Sequence, residues 1–229
     1  MKILYISFSN ITIHYQNLFS ILSCLYYIKN SKEIEEIIVF TDNKSFFEKW
    51  LFNFTIVKYY DLSPNKIIEW KGKYKYVFRI KIKAIEYVLL NNYTKILYLD
   101  GDTFFKDNPT KLFEKISKGN TIMYKKESNF GDENNKNWDC IRTHINANRF
   151  NIDNHTFNIS LSHYMWNAGV IGIDFNDSSL IKKVLDLTDQ YCSQVNLNKY
   201  HQDQVMFSYV FQTYSLIEPA EGIIFHYCY

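Results

Sequence analysis

Hydrophobic positions fall along this chain in short bursts separated by polar links. KILYISFS (2–9) is an apolar run that stops at Ser and Asn, the pattern of a buried strand. Residues 15–29 then carry Leu18, Phe19, Leu22, Leu25 and Tyr26 at helical spacing. EEIIVFTDN (35–43) and FTIVKYYDL (54–62) read as a second and a third strand. From Ile80 onward, Ala84, Ile85, Val88 and Leu89 follow a 3.6-residue period, although 78–82 also alternates with period two and leaves the helix start open. A strand over 96–99 follows in KILYLDGDTFF, and Pro109 after Asp107 and Asn108 suits the start of a helix. TIMYKKE (121–127), WNAGVIGIDF (166–175) and the terminal GIIFHYCY are further strands. DSSLIKKVLDLTDQY (177–191) is a capped helix with Leu180, Ile181, Val184, Leu185 and Thr188 on one stripe, and QDQVMFSYVFQTY (202–214) a shorter one. Only 128–162, polar and rich in Asn, lacks clear periodicity; it reads as an irregular lid or binding segment.

Strands alternating with helices at the spacing of βαβ units predict an α/β fold with a largely parallel sheet covered on both faces. The continuous apolar runs agree, because strands covered on both sides need no polar alternation. The chain's 229 residues suffice for one core, so a single domain over 1–229 is expected. A formal net charge of +2 is too small an excess for a nucleic-acid surface, and the basic stretch KGKYKYVFRIKIK (71–83) is interleaved with aromatics and isoleucines. Cys24, Cys140, Cys192 and Cys228 show neither CxxC nor zinc-ligand spacing, so a reducing compartment is expected. The N-terminus lacks the long apolar stretch of a secretory signal, and no window has the uninterrupted apolar run of a membrane span. The Asn-x-Ser/Thr triplets at Asn10, Asn53, Asn92, Asn154 and Asn158 carry no weight in so Asn-rich a chain.

The stretch that calls for chemistry is ILYLDGDTFF (96–105), where a buried strand runs into two aspartates one residue apart. In open α/β sheets ligands bind beyond the carboxyl ends of strands, where Asp100 and Asp102 would sit. Gly101 between them lets a ligand approach the backbone. Two carboxylates this close repel unless a cation compensates them, and oxygen ligands favour a hard ion such as Mg²⁺ or Mn²⁺ with positions left for phosphate oxygens. The bland alternative is a turn that merely ends a strand.

ILYLDGDTFFKDNPTKLF resembles the DxD segment of GT-A-fold glycosyltransferases, in particular the glycogenin and bacterial galactosyltransferase group. MWNAGVIGIDF, HQDQVMFSYV and IIFHY resemble three further segments of that family, in the same order. The resemblance implies a GT-A (Rossmann-like) sheet, with residues 1–107 as the nucleotide-binding half and 108–229 as a smaller acceptor-side half containing 128–162. It implies a metal site of Asp100, Asp102 and His226 holding Mn²⁺ or Mg²⁺, and transfer of a sugar from a nucleotide-diphosphate donor, a UDP-sugar, to a hydroxyl on a glycan, glycolipid or protein acceptor. Arg79 is expected to face the donor, with Lys81 and Lys83 competing for that role. Asn167, as a catalytic amide, with Ala168 and Gly169 leaving room for the ring, is expected at the sugar. Asp203 is expected as the base or as a sugar-positioning acid, with Gln204 contacting sugar or acceptor; an acid in a helix's first turn is the bland reading of Asp203. Ser7 and Asp42, at the ends of the first two strands, would meet the nucleotide by fold analogy. The same resemblance implies a cytoplasmic enzyme that visits a membrane in glycan or surface-polysaccharide synthesis. Its rivals are a catalytically inactive sugar- or nucleotide-binding protein on the same fold and a haloacid-dehalogenase-type phosphatase. The phosphatase needs D-x-D-x-T, and here Phe104 holds the hydroxyl's place while Thr103 comes one residue early.

Overall fold

The structure, a computed structural model, describes residues 1–29, 32–92, 94–194 and 201–227. Cys228 and Tyr229, the end of the expected last strand, lie outside the described residues. The first four apolar runs form β1 (Lys2–Ser7), β2 (Glu36–Thr41), β3 (Val57–Asp61) and β4 (Ile96–Leu99), all parallel. Between them lie α1 (Ile11–Ile28), α2 (Lys44–Leu51), α3 (Pro64–Lys71) and α4 (Arg79–Asn92). The first three helices begin where a side chain satisfies an orphan backbone donor: Asn10 accepts from Thr12 N, Asn43 from Phe46 N and Ser63 from Lys66 N, with Pro64 next in line. The Asn10 cap starts α1 four residues earlier than its spacing suggests.

The second half contributes β5 (Thr103–Phe105), α5 (Thr110–Phe113), β6 (Asn120–Met123), β7 (Lys126–Asn129), α6 (Asp139–Ala147), β8 (Phe150–Ile152) and β9 (His155–Phe157). There follow β10 (Tyr164–Trp166), β11 (Val170–Ile173), α7 (Ser178–Gln194), α8 (Gln202–Tyr214), β12 (Leu216–Pro219) and β13 (Ile224–His226). One seven-stranded sheet runs β12-β6-β11-β4-β1-β2-β3. β11 lies antiparallel to both β4 and β6, while the other six strands share one direction. The mostly parallel sheet is therefore as expected. Alternate residues of β1 serve its two faces: Ile3 and Tyr5 pack with α1 and α2 residues, Leu4 with residues of α4, α7 and α8.

Two expected strands are each divided. TIMYKKE splits between β6 and β7, and WNAGVIGIDF between β10 and β11, because Asn167, Ala168 and Gly169 leave the ladder to build the site. Residues 128–162 are not irregular throughout. They hold α6 and the β8–β9 hairpin, whose Asp153-Asn154 turn has φ of 50° and 66°, the left-handed pair a tight hairpin requires. Ile141, Ile145, Phe150 and Ile152 from this segment join the core cluster that includes α7 and α8. Among the described residues, no helix is long and apolar enough to cross a membrane.

Candidate active site

The carboxyl end of β4 delivers Asp100, Gly101 and Asp102 into a turn that leads straight into β5. β5 pairs antiparallel with β13, with Thr103 opposite His226, so this long-range strand pair carries His226 to the aspartates across 124 positions of sequence. His226 Nε2 lies 3.0 Å from Asp102 Oδ1, and potential ligand atoms of Asp100, Asp102 and His226 all fall within 4.8 Å of one another. The imidazole is fixed from behind: Nδ1 sits 2.9 Å from Asn167 Oδ1, which also accepts from Gly169 N at 3.0 Å. With Oδ1 as acceptor, Nδ1 carries the proton, and Nε2 of a neutral ring turns its lone pair toward the aspartate. Two acceptors facing each other at that distance need a proton or a cation between them. Burial pushes the Asp102 carboxyl up, but where the proton between them sits on Nε2, the hydrogen bond and charge of His226 outweigh burial and leave the Asp102 pKa below the ordinary value.

Lys81 organises the other side. Its Nζ donates to Asp100 Oδ2 at 3.3 Å, Asp203 Oδ2 at 3.1 Å and the Ala168 carbonyl at 3.1 Å, which uses its three hydrogens. Burial is the largest influence on this ammonium and lowers its pKa, yet Asp100 and Asp203 together outweigh it and hold the value at about 12. Tyr98 Oη donates to the remaining Asp100 oxygen at 2.5 Å, and Tyr76 Oη to Asp203 Oδ1 at 2.7 Å. Both phenols are pushed well above their ordinary pKa by burial first and by their aspartate second, so they remain donors.

Two clefts open on either side of this wall and share Phe78, Lys81, Asp100 and Asp102. One, of about 400 Å³, is largely apolar, with Ile6, Phe8, Ile13, Val77 and Ile80 among its lining residues. The other, of about 590 Å³, is the more polar of the two and is faced by Glu127, Asn167, Asp203, Gln204 and His226. Its four carboxylates against one ammonium leave three net negative charges while His226 is neutral. A diphosphate could not enter such a field without a dication. The donor set, two carboxylates and an imidazole, suits Mn²⁺ or Mg²⁺.

Not every expected site residue comes here. Arg79 is turned away: Nε and Nη2 form a bidentate pair with Asp189 at 2.7 and 2.9 Å, and Nη1 donates to the Trp70 carbonyl. Lys83 pairs with Glu86 on its own helix and lines neither cleft. Of the three basic residues, Lys81 is the one at the site. Ser7 and Asp42 do reach the sheet's ligand edge but line neither cleft. Ser7 Oγ is buried against His14 Nδ1 at 2.7 Å, and Asp42 accepts from Ser9 N at 2.9 Å; their neighbours Ile6 and Phe8 face the apolar cleft instead. The glycines make room for protein as much as for ligand. A Cβ on Gly101 would lie 2.5 Å from Asn17 Nδ2, and one on Gly169 would lie 2.2 Å from His226 Cε1. Asp203 is 3% exposed with both oxygens engaged, a fixed support and not a free base. The residue missed in the sequence is Glu127 on β7, held by neutral amides from Asn167 Nδ2 at 3.4 Å and Gln204 Nε2 at 3.1 Å.

No protein-family model and no curated protein sequence matches the chain. Solved structures do. The galactosyltransferase LgtC, crystallised with donor and acceptor sugar analogues, aligns at a TM-score of 0.61 and 14% identity over 96% of this chain and 74% of its own. Mouse xyloside xylosyltransferase 1 aligns at 0.58 and 15% over 96% and 85%. The glycosyltransferase GlyE of Streptococcus pneumoniae TIGR4 gives 0.54 and 15% over 95% and 45%. At such identities the likeness is one of fold, and the fold of this chain is that of the GT-A glycosyltransferases.

Proposed function

We propose that the protein is a metal-dependent glycosyltransferase that moves a sugar from a nucleotide-diphosphate donor, a UDP-sugar, to a hydroxyl acceptor in glycan or surface-polysaccharide synthesis. The observation that carries this reading is the convergence of Asp100, Asp102 and His226 on the wall between an apolar and a polar cleft. The apolar cleft suits a nucleoside and the polar one a sugar, which puts the diphosphate at the acids.

Asp100, Asp102 and His226 would hold Mn²⁺ or Mg²⁺, whose Lewis acidity at the departing diphosphate is the chemistry it supplies. Asn167 keeps the His226 ring oriented and its Nδ1 protonated, which leaves Nε2 as the ligand atom. Lys81 has no spare hydrogen, so it fixes Asp100 and Asp203 and adds positive charge beside the leaving group. Glu127 is the cleft carboxylate with neither a cationic partner among the described residues nor a place among the proposed metal ligands, and Gln204 and Asn167 aim it. It accepts a hydrogen bond from a donor or acceptor hydroxyl.

Calorimetry of UDP with and without Mn²⁺, on the wild type and on Asp102→Asn, tests the site. Binding that needs the metal in the wild type and is lost in the variant is expected, whereas equal binding without metal would end the reading. Turnover across a panel of nucleotide sugars separates the enzyme from an inactive binding protein, which would bind a donor and consume none.

A further inference from the structure

α1 carries large apolar side chains on its outer as well as its inner side. Its side toward the sheet buries Leu18, Ile21, Cys24, Leu25 and Ile28, and its outer side exposes Ile11, Tyr15, Phe19, Leu22 and Tyr26, at 53%, 52%, 53%, 41% and 65%. Apart from Thr12, these are its exposed positions, and none of its 18 residues is charged. A helix with water on one side normally carries charge there, and a continuous apolar surface marks something that covers it. The surface also extends beyond α1. Phe19 meets Phe104 of β5 at 5.7 Å, and Phe104 meets Phe225 of β13 at 5.3 Å. On the other flank Tyr15 stands edge-on to Phe46 at 5.0 Å, one helical turn from the exposed Trp50 of α2.

We propose that this face rests on an anionic membrane surface. The argument is composition and charge. Tyr, Trp and Phe mixed with Ile and Leu are the residues that sit at the level of lipid headgroups. Around them Lys29 holds its ammonium 5.1 Å from the Tyr26 ring and Lys49 holds its own 5.5 Å from the Trp50 ring, with Lys106 exposed beyond Phe105. None of the three forms an ion pair with a carboxylate among the described residues, although Lys106 Nζ donates to the backbone carbonyl of the exposed Glu221 at 2.8 Å; of the other nearby acids, Glu48 and Asp107 are each paired with a lysine, Lys44 and Lys111. A second copy seated on the same face about a two-fold axis would gather both copies' lysines, six in all, into one interface without a carboxylate to offset them. Anionic headgroups would neutralise them. The β5–β13 strand pair that turns His226 and Thr103 inward turns Phe225 and Phe104 outward, so the membrane-facing surface backs directly onto the proposed cation site. The inference stands on this surface alone and does not depend on the transferase reading.

Vesicle co-sedimentation tests it. The protein is expected to pellet at low salt with phosphatidylcholine vesicles in which roughly a third of the lipid is phosphatidylglycerol, and to be released at about 0.5 M salt. It should stay in solution with phosphatidylcholine alone. Phe19→Gln/Tyr26→Gln, which keeps helix-favouring residues at exposed positions, should lower the partition coefficient by about tenfold or more. Leu90→Gln, on the exposed side of α4, should leave it unchanged. Failure to pellet with either vesicle, equal pelleting with both, or a dimer in light scattering that the double variant dissociates without any vesicle binding would each overturn the proposal.

Discussion

Replacing Lys81 with Met keeps the length of the stem and removes the charge, which makes it a sharp test of what ties the site together. The ammonium lies 3.3 and 3.1 Å from Asp100 and Asp203 and is almost wholly buried. At an effective dielectric constant of about 20, each contact is worth roughly 5 kcal/mol before desolvation, and several kcal/mol of desolvation oppose the pair of them. The rise of the Lys81 pKa from 10.5 to about 12 puts the net balance in the folded protein on the side of the charged form, by roughly 2 kcal/mol. Breaking a buried ion pair from one side costs about 3–5 kcal/mol. Lys81→Met is therefore expected to lose between about 2 and 5 kcal/mol in urea unfolding without metal. Because the folded pKa is raised, this contribution is complete below about pH 10.5 and fades as pH climbs through about 12, so a neutral-pH comparison captures it whole. The same variant should gain more stability from Mn²⁺ than the wild type does, since the dication then supplies charge that the acids have lost. Asp203→Asn should restore part of the loss. A Lys81→Met protein within about 0.5 kcal/mol of wild type, with an identical response to Mn²⁺, would refute the account of the network.

Gly169→Ala should fold but weaken Mn²⁺ binding by roughly 10- to 100-fold in calorimetry, because the new Cβ occupies the space of the His226 ring. Asp102→Asn should flatten the stability curve on its acid side. The folded pKa of Asp102 lies below its ordinary 3.8, so its contribution is present above that value and is lost as pH falls through the lower one. Glu127→Gln keeps the shape and removes the charge; kcat/KM for the transferred sugar should fall roughly tenfold, the difference between a charged and a neutral hydrogen bond, with Mn²⁺ affinity close to wild type.

How far the site was legible follows from which contacts are local. The aspartates announce themselves because they end an apolar strand. α8 was readable at both ends, and the buried positions of α4 and α7 fall on their apolar periods: Ala84, Ile85, Val88 and Leu89 on one, Leu180, Ile181, Val184, Leu185 and Thr188 on the other. The choice among Arg79, Lys81 and Lys83 was hidden by the period-two look of RIKIK. The helical period settles it in retrospect, since Lys81 stands three, four and seven residues before Ala84, Ile85 and Val88 and so shares their buried stripe. Glu127 had no local signal. Its partners lie 40 and 77 residues away, and it follows two lysines in a chain where lysine is common. For α1 the apolar spacing misled. Of the residues that marked it, Leu18 and Leu25 are buried, while Phe19, Leu22 and Tyr26 face outward, because a helix apolar on both sides has no stripe to read.

That pattern explains why the small residues looked like ligand contacts. A sequence can tell that Gly101 and Gly169 leave space, but not what fills it. In the folded chain the space goes first to Asn17 and His226, which pack against the Asp100–Asp102 turn and against Gly169. A cleft that crowds four carboxylates against one ammonium gains from this order. Its acids repel one another, so their positions have to be enforced by Lys81, by the two tyrosines and by close backbone packing. Rigidity at the carboxylates is the counterpart of their unbalanced charge: a looser frame would let Asp100 and Asp102 turn toward water and relieve the repulsion that the proposed dication would exploit.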